Sequence, residues 1–169
     1  MIKIIDNFFN EDMLKKIQQH ITTNLSFMPR YFEGKKHTKS NYFGMRFKLN
    51  QDPKLLKTFV LQTEKKFKIK IKKINDDSGI DIRNLENFSP HVDSMTEGHS
   101  NILIMLKGPT AITNGTVFYT DGKLDMHVGF KENRALMFPS NIYHSAHASN
   151  IPNLKRYTAS LLTINYEEE

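Results

Sequence analysis

The run MFPSNIYHSAHASNIPNLKRYTASLLTINY, residues 137–166, holds the signals on which the fold is decided. Its last third, RYTASLLTINY, reads as a long strand opened by Arg156. Side chains alternate across a strand, so Thr158 and Ser160 share the face of Arg156. Before it, the Asn150-Ile151-Pro152-Asn153 segment is a turn signal. A short strand at 144–148 carries His144 and His147, and Phe138-Pro139-Ser140 turns the chain into it.

Working outward, the sequence from 80 onward reads as strands separated by turns, at 80–88, 91–93, 101–107, 115–120, 124–128 and 135–138. Gly108-Pro109, Asn114-Gly115 and Asp121-Gly122 punctuate them. The N-terminal part is different. An apolar strand at 2–9 leads to Asn10, a good N-cap, with Glu11 and Asp12 in the first turn, where the helix dipole favours acids. Met13, Leu14, Ile17 and Ile21 follow at helical spacing, predicting a helix to about Asn24. Residues 26–40 show no period and read as a loop, and 41–49 as a strand. Asp52-Pro53 opens a second helix, with Leu55, Leu56, Phe59 and Val60 on its apolar face. In KKFKIKIKK, residues 65–73, Phe67, Ile69 and Ile71 alternate with Lys66, Lys68, Lys70 and Lys72. That is period two, predicting an edge strand with lysines outward. Helices followed by closely spaced strands give a mixed α+β, mainly β class. The expected fold is a double-stranded β-helix, or jelly roll, with the N-terminal helices packed on one sheet.

The chain has 169 residues, which suits a single domain, 1–169. There is no cysteine, so disulfides, thiolate metal sites and cysteine nucleophiles are excluded. A metal would have to be held by His, Asp or Glu. No apolar run approaches the ~18 residues of a membrane helix, and the acidic start does not read as a signal peptide, so a cytoplasmic protein with no membrane partner is expected. The net charge of +6 has two readings, lysines on solvated faces or a surface for an anionic partner such as nucleic acid.

His91 and Asp93 stand one residue apart, so on a strand they face the same way. His144 follows 51 positions after Asp93, suiting a different strand of the same barrel. Two histidines and one carboxylate on one face leave half of an octahedral shell open, the facial triad of non-haem Fe(II) oxygenases. His147 competes with His144 as the distal ligand, but on a strand the two point to opposite faces. His99 reads as loop, His127 as a strand residue that could border the site, and His20 and His37 as structural or solvent-facing.

With these residues in place, 137–166 resembles the C-terminal half of the prolyl 4-hydroxylase-like Fe(II)/2-oxoglutarate-dependent dioxygenases. In that family a Phe-Pro-Ser turn precedes the distal histidine by four residues, as Ser140 precedes His144. An arginine about ten residues further on opens the last strand, and Arg156 stands 12 after His144. The opening IIDNFFNEDMLKKI and the NGTVFY run at 114–119 are similar to the family's entry segment and to its Gly-Thr-x-Phe-Tyr strand. The resemblance implies Fe(II) on His91, Asp93 and His144, and 2-oxoglutarate held by Arg156 with Thr158 or Ser160 assisting, a guanidinium being suited to bidentate grip on a carboxylate. Ascorbate would serve as accessory reductant. The implied reaction converts 2-oxoglutarate to succinate and carbon dioxide while oxidising a C–H bond, usually by hydroxylation of an amino-acid or peptidyl side chain. The alternatives are a nucleobase oxygenase on the same fold, with Tyr31, Phe32, Lys35 and Lys36 as channel wall, and a non-catalytic jelly-roll binding module. One departure stands out. The family's 2-oxoglutarate-binding tyrosine on the strand before His-x-Asp is missing from IRNLENFSP, leaving Arg83, Asn84 or Asn101 to substitute.

Overall fold

The computed structural model describes residues 1–31, 42–83, 90–147 and 155–168. After strand β1 (Lys3–Ile5) the chain enters helix α1 (Glu11–Thr23). The Asn10 side chain accepts a 2.8 Å hydrogen bond from the Met13 N–H, meeting one of the donors a helix start leaves bare. Strands β2 (Met28–Tyr31) and β3 (Tyr42–Lys48) pair antiparallel, so 26–40 is not all loop as its lack of period suggested. Helix α2 (Pro53–Phe67) has Asp52 as N-cap, accepting from Leu55 N–H at 2.9 Å, with proline in its first turn.

The lysine-rich segment divides differently from its period-two reading. The helix runs through Phe67, because Leu55, Phe59, Thr63 and Phe67 repeat every four residues along its buried face. Lys68, at φ 54°, ends it in the left-handed region, and β4 (Ile69–Ile74) starts only then. Phe67 and Ile69 are buried and Lys68, Lys70 and Lys72 exposed, as expected of an outward lysine face, while Lys66 is half-buried and its Nζ donates to the Asn7 carbonyl at 3.0 Å. The Glu64 side chain accepts from the β4 N–H of Ile71 at 3.0 Å.

The remaining strands are β5 (Gly79–Arg83), β6 (His99–Lys107), β7 (Ala111–Thr120), β8 (Lys123–Phe130), β9 (Arg134–Pro139), β10 (His144–His147) and β11 (Arg156–Glu168). The larger sheet has the order β1-β9-β6-β11-β5-β3-β2, with β4 also pairing β11 beyond the end of β5. The smaller has the order β10-β7-β8. His99, read as loop, begins β6.

Alternation decides which residues go where. On β6, Ile102, Ile104 and Leu106 cluster with Leu14, Ile17 and Ile21 of α1 and Phe59 of α2, while Met105 clusters with Phe118, Val128 and Phe130 of the smaller sheet. On β9, Ala135 and Met137 join the helix-side cluster, and Leu136 and Phe138 the inter-sheet one. Both faces of these central strands are therefore buried, which is why they read as continuous apolar runs. On β11, Ala159 and Leu161 face the helices, leaving Arg156, Thr158 and Ser160 on the opposite face, toward the interior between the sheets. The result is a mainly β jelly roll with its two helices on one face of the larger sheet.

Candidate active site

His91 and Asp93 do not sit on a regular strand, contrary to the 91–93 reading. His91 forms a single bridge with His144, the two residues exchanging both backbone hydrogen bonds at 3.0 and 2.9 Å. Two residues on, the Asp93 and Ser94 N–H groups both donate to the Ser140 carbonyl, at 2.9 and 3.2 Å, and Ser140 N–H donates to the His99 carbonyl at 3.0 Å. The Phe-Pro-Ser turn thus does two jobs: it sends the chain into His144, and its serine carbonyl fixes the backbone of Asp93.

The three side chains converge. Their ligand atoms all lie within 4.8 Å of one another. Asp93 presents one oxygen to each imidazole: Oδ1 lies 3.7 Å from His91 Nε2, and Oδ2 lies 3.5 Å from His144 Nε2. Ligand atoms ~2.1 Å from one ion and at right angles are about 3.0 Å apart, so closing on a metal draws the three side chains inward from separations of up to 4.8 Å. Nδ1 of His144 lies 2.9 Å from the Ile142 carbonyl, which requires its proton there and turns the Nε2 lone pair toward Asp93. The His144 ring is fixed further by Phe138, edge-on at 4.8 Å between centroids, and by Phe118 at 6.2 Å. Asn101 Nδ2 donates to Asp93 Oδ2 at 2.7 Å, orienting the carboxylate. The Asp93 side chain is 17% exposed, so it is reachable but not solvent-dominated.

His147 is excluded from this group. Its side chain is exposed and stacks edge-on to His127, 5.7 Å away, while its carbonyl accepts from Arg156. His127 is exposed and does not line the cavity.

The triad opens on a cavity of about 300 Å³. Arg156, Thr158 and Ser160 line it, as their shared face requires. Arg156 is 3% exposed. Its Nη1 donates to the Asn114 side-chain oxygen and to the carbonyls of Gly115, at 3.2 Å, and His147, at 2.8 Å. Its Nε is buried with no partner among the described residues. Burial pushes the guanidinium down to about 9, and neighbouring Arg83 adds to the shift, with Asp81 opposing it. A buried guanidinium lining a cavity is chemically suited to an anion. The Asn101 Oδ1 atom is likewise buried and has no partner among the described residues. Of the residues considered as stand-ins for a tyrosine, Arg83 and Asn101 line the cavity, while Asn84 lies outside the described residues.

No protein-family model matches the sequence, and no curated protein matches it either. Solved structures do match. HygX from Streptomyces hygroscopicus, solved with nickel and 2-oxoglutarate, superposes with a TM-score of 0.70 at 8% identity, over 99% of this chain and 82% of HygX. The chain shares the jelly-roll fold of HygX. SnoN, an alpha-ketoglutarate-dependent epimerase of nogalamycin biosynthesis, matches with a TM-score of 0.68 at 9% identity, over 99% of this chain and 80% of SnoN. A Trichoplax adhaerens prolyl hydroxylase, solved with a peptide fragment of hypoxia inducible factor, matches at 0.65 and 12% identity, over 97% of this chain and 83% of the hydroxylase. At such identities the likeness establishes the fold alone, while the chemistry must be argued from this chain's residues.

Apart from Arg83, sequence reasoning did not find the charged part of the cavity wall. Arg30, Arg46, Asp81 and Arg83 line the cavity together with Arg156. They come from three strands, so no local spacing links them. A signal was present in GIDIR, where Asp81 and Arg83 are charged residues two apart in an otherwise apolar strand.

Proposed function

We propose that the protein is an Fe(II)- and 2-oxoglutarate-dependent oxygenase that hydroxylates an amino-acid or peptidyl side chain. The observation that carries this reading is the convergence of His91, Asp93 and His144 on the cavity that also holds the buried, incompletely bonded Arg156. The donor set, two imidazoles and one carboxylate, suits Fe(II) and leaves room for further ligands. When bound, the iron would supply the redox chemistry coupling decarboxylation of 2-oxoglutarate to oxidation of a C–H bond.

The protein's own contribution is positional. Ile142 and Asn101 set the orientations of His144 and Asp93 before any ligand arrives, so little reordering opposes binding. Arg156 offers its Nε side to the distal carboxylate of 2-oxoglutarate while Nη1 stays tied to Asn114, Gly115 and His147. Thr158 and Ser160, buried on the same face, supply hydroxyls to that carboxylate. Leu103, Met105, Phe130 and Phe138 make the rest of this wall apolar, which limits water around the reacting centre. The peptide-bound prolyl hydroxylase of the same fold supports a peptidyl substrate. SnoN, an epimerase, shows that the fold also serves a different outcome, so the first test is independent of outcome.

That test is a calorimetric titration with Ni(II), the ion found in HygX. One ion per chain is expected, with binding lost in Asp93→Ala and His144→Ala and kept in His147→Ala. Equal binding by the wild type and Asp93→Ala overturns the assignment.

A further inference from the structure

Three guanidiniums converge on one buried carboxylate in the cavity wall formed by β2, β3 and β5. Asp81, with a side chain 5% exposed, takes a bidentate pair from Arg46, Nε to Oδ1 at 2.9 Å and Nη2 to Oδ2 at 2.7 Å. Arg30 Nη1 reaches the same Oδ1 at 3.4 Å, and Arg83 Nη2 lies 3.9 Å from Oδ2. Strand register explains the grouping: Arg46 is paired with Asp81, Asp81 with Thr158, and Arg83 with Arg156. The row of arginines therefore continues the Arg156 wall away from the triad, across three further strands of the larger sheet, β5, β3 and β2.

Asp81 meets Arg46 fully and is left with long contacts to the other two. Burial raises its carboxyl, but Arg46, Arg83 and Arg30 together outweigh this and hold it below the usual carboxylate range. Arg30 is lowered by burial and by Arg46. Asp77, the other carboxylate at this end, is exposed and pairs with Lys48 at 3.2 Å. Arg30 and Arg83 also interact outside this cluster, and it is the alignment of three guanidiniums along one cavity wall that matters. Such a row repels cations and attracts oxyanions. The Arg46–Asp81 pair is the scaffold, and Arg30 and Arg83, on either side of it, are the hands.

We infer that Arg30 and Arg83, braced by Arg46 and Asp81, bind an anionic group of the primary substrate, a carboxylate or a phosphate, and so set which substrates enter. This rests on the oxygenase reading for the word substrate, though not for the anion site itself. Arg156 serves 2-oxoglutarate, and the β2–β3–β5 wall serves the molecule to be oxidised.

The test uses the full chain loaded with Ni(II) and saturating 2-oxoglutarate, so that Arg156 is already engaged. Calorimetry then follows three probes: N-acetylglycine, inorganic phosphate, and neutral N-acetylglycinamide. Binding of either anion and none of the amide is expected, weakened at least tenfold in Arg30→Gln/Arg83→Gln. Selectivity between the two anions identifies the group. Arg30→Gln alone is a second variant that tolerates substitution, since Arg30 is 33% exposed and lies at the rim. It is expected to weaken binding severalfold with an unchanged melting temperature. Anion binding that is equal in wild type and a folded double variant, or that occurs only by release of 2-oxoglutarate, overturns the inference. So does equal binding of the amide. The two readings fail separately: anion binding that depends on Arg30 and Arg83 in a protein that turns over no 2-oxoglutarate leaves the anion site standing and removes the oxygenase.

Discussion

Arg156→Ala is the most informative single change outside the triad. The side chain is buried to 3% exposure and its Nε has no partner among the described residues, so a bound carboxylate meets a desolvated cation with little competition from water. Truncating one partner of a buried charged pair costs roughly 2–5 kcal/mol. At about 1.4 kcal/mol per decade, this is a roughly 30- to 4,000-fold loss of 2-oxoglutarate affinity. The same change leaves the Asn114 side chain and the Gly115 and His147 carbonyls without their donor. A buried acceptor left unmet costs about 1–3 kcal/mol, so the variant melts lower. Arg156→Lys separates the two effects: it keeps the charge, loses the planar fork, and is expected to fall between wild type and alanine. The assay is calorimetry of 2-oxoglutarate binding to the Ni(II)-loaded protein, with circular dichroism confirming that each variant is folded. A folded alanine variant with wild-type affinity refutes the reasoning and moves the carboxylate to Arg83.

Asn101→Ala removes the 2.7 Å hydrogen bond that orients Asp93, and metal affinity is expected to fall 10- to 100-fold by Ni(II) titration, the usual effect of losing a ligand's outer partner. Asp6 holds Lys131 Nζ and Arg134 Nε, each at 2.7 Å, and Arg134 first and Lys131 second keep its carboxyl well below the usual range. A depressed folded pKa stabilises above the unfolded value of 3.8 and the gain fades as pH falls below it. The Asp6 side chain is 36% exposed, so the gain is on the order of 0.5–1 kcal/mol. Asp6→Asn is therefore expected to lower stability by that amount at pH 7 in urea unfolding, and the gap to wild type should shrink as the pH is taken progressively below 4.

Much of the site was legible because its signals are local or tied to strand period. The offset from Ser140 to His144 survives in the structure as a backbone clamp on Asp93, and the alternation of RYTASLLTINY places Arg156, Thr158 and Ser160 on the cavity face. His147 was separable from His144 by the same period. Other features hid in ambiguity or in distance. Phe67 satisfies both a four-residue and a two-residue repeat, and only the helix end at Lys68 decides between them. The Asp93–Asn101 bond and the Arg30–Arg46–Asp81–Arg83 cluster depend on which strands become neighbours. That information lies in sheet order, which periodicity does not carry. Phe32, Lys35 and Lys36, considered as a channel wall for a nucleobase, lie outside the described residues, and the exposed lysines of β4 do not line the cavity.

The central claim is that His91, Asp93, His144 and Arg156 form one 2-oxoglutarate-consuming centre. The direct measurement is succinate formed from 2-oxoglutarate with Fe(II), ascorbate and oxygen, comparing wild type with Asp93→Ala, His144→Ala and Arg156→Ala. Succinate above the protein-free background in wild type is predicted, abolished in the two ligand variants and restored in Arg156→Ala only at much higher 2-oxoglutarate. Wild-type rates in a folded Asp93→Ala or His144→Ala variant, or no succinate from the wild type with peptides and amino acids supplied, would contradict it.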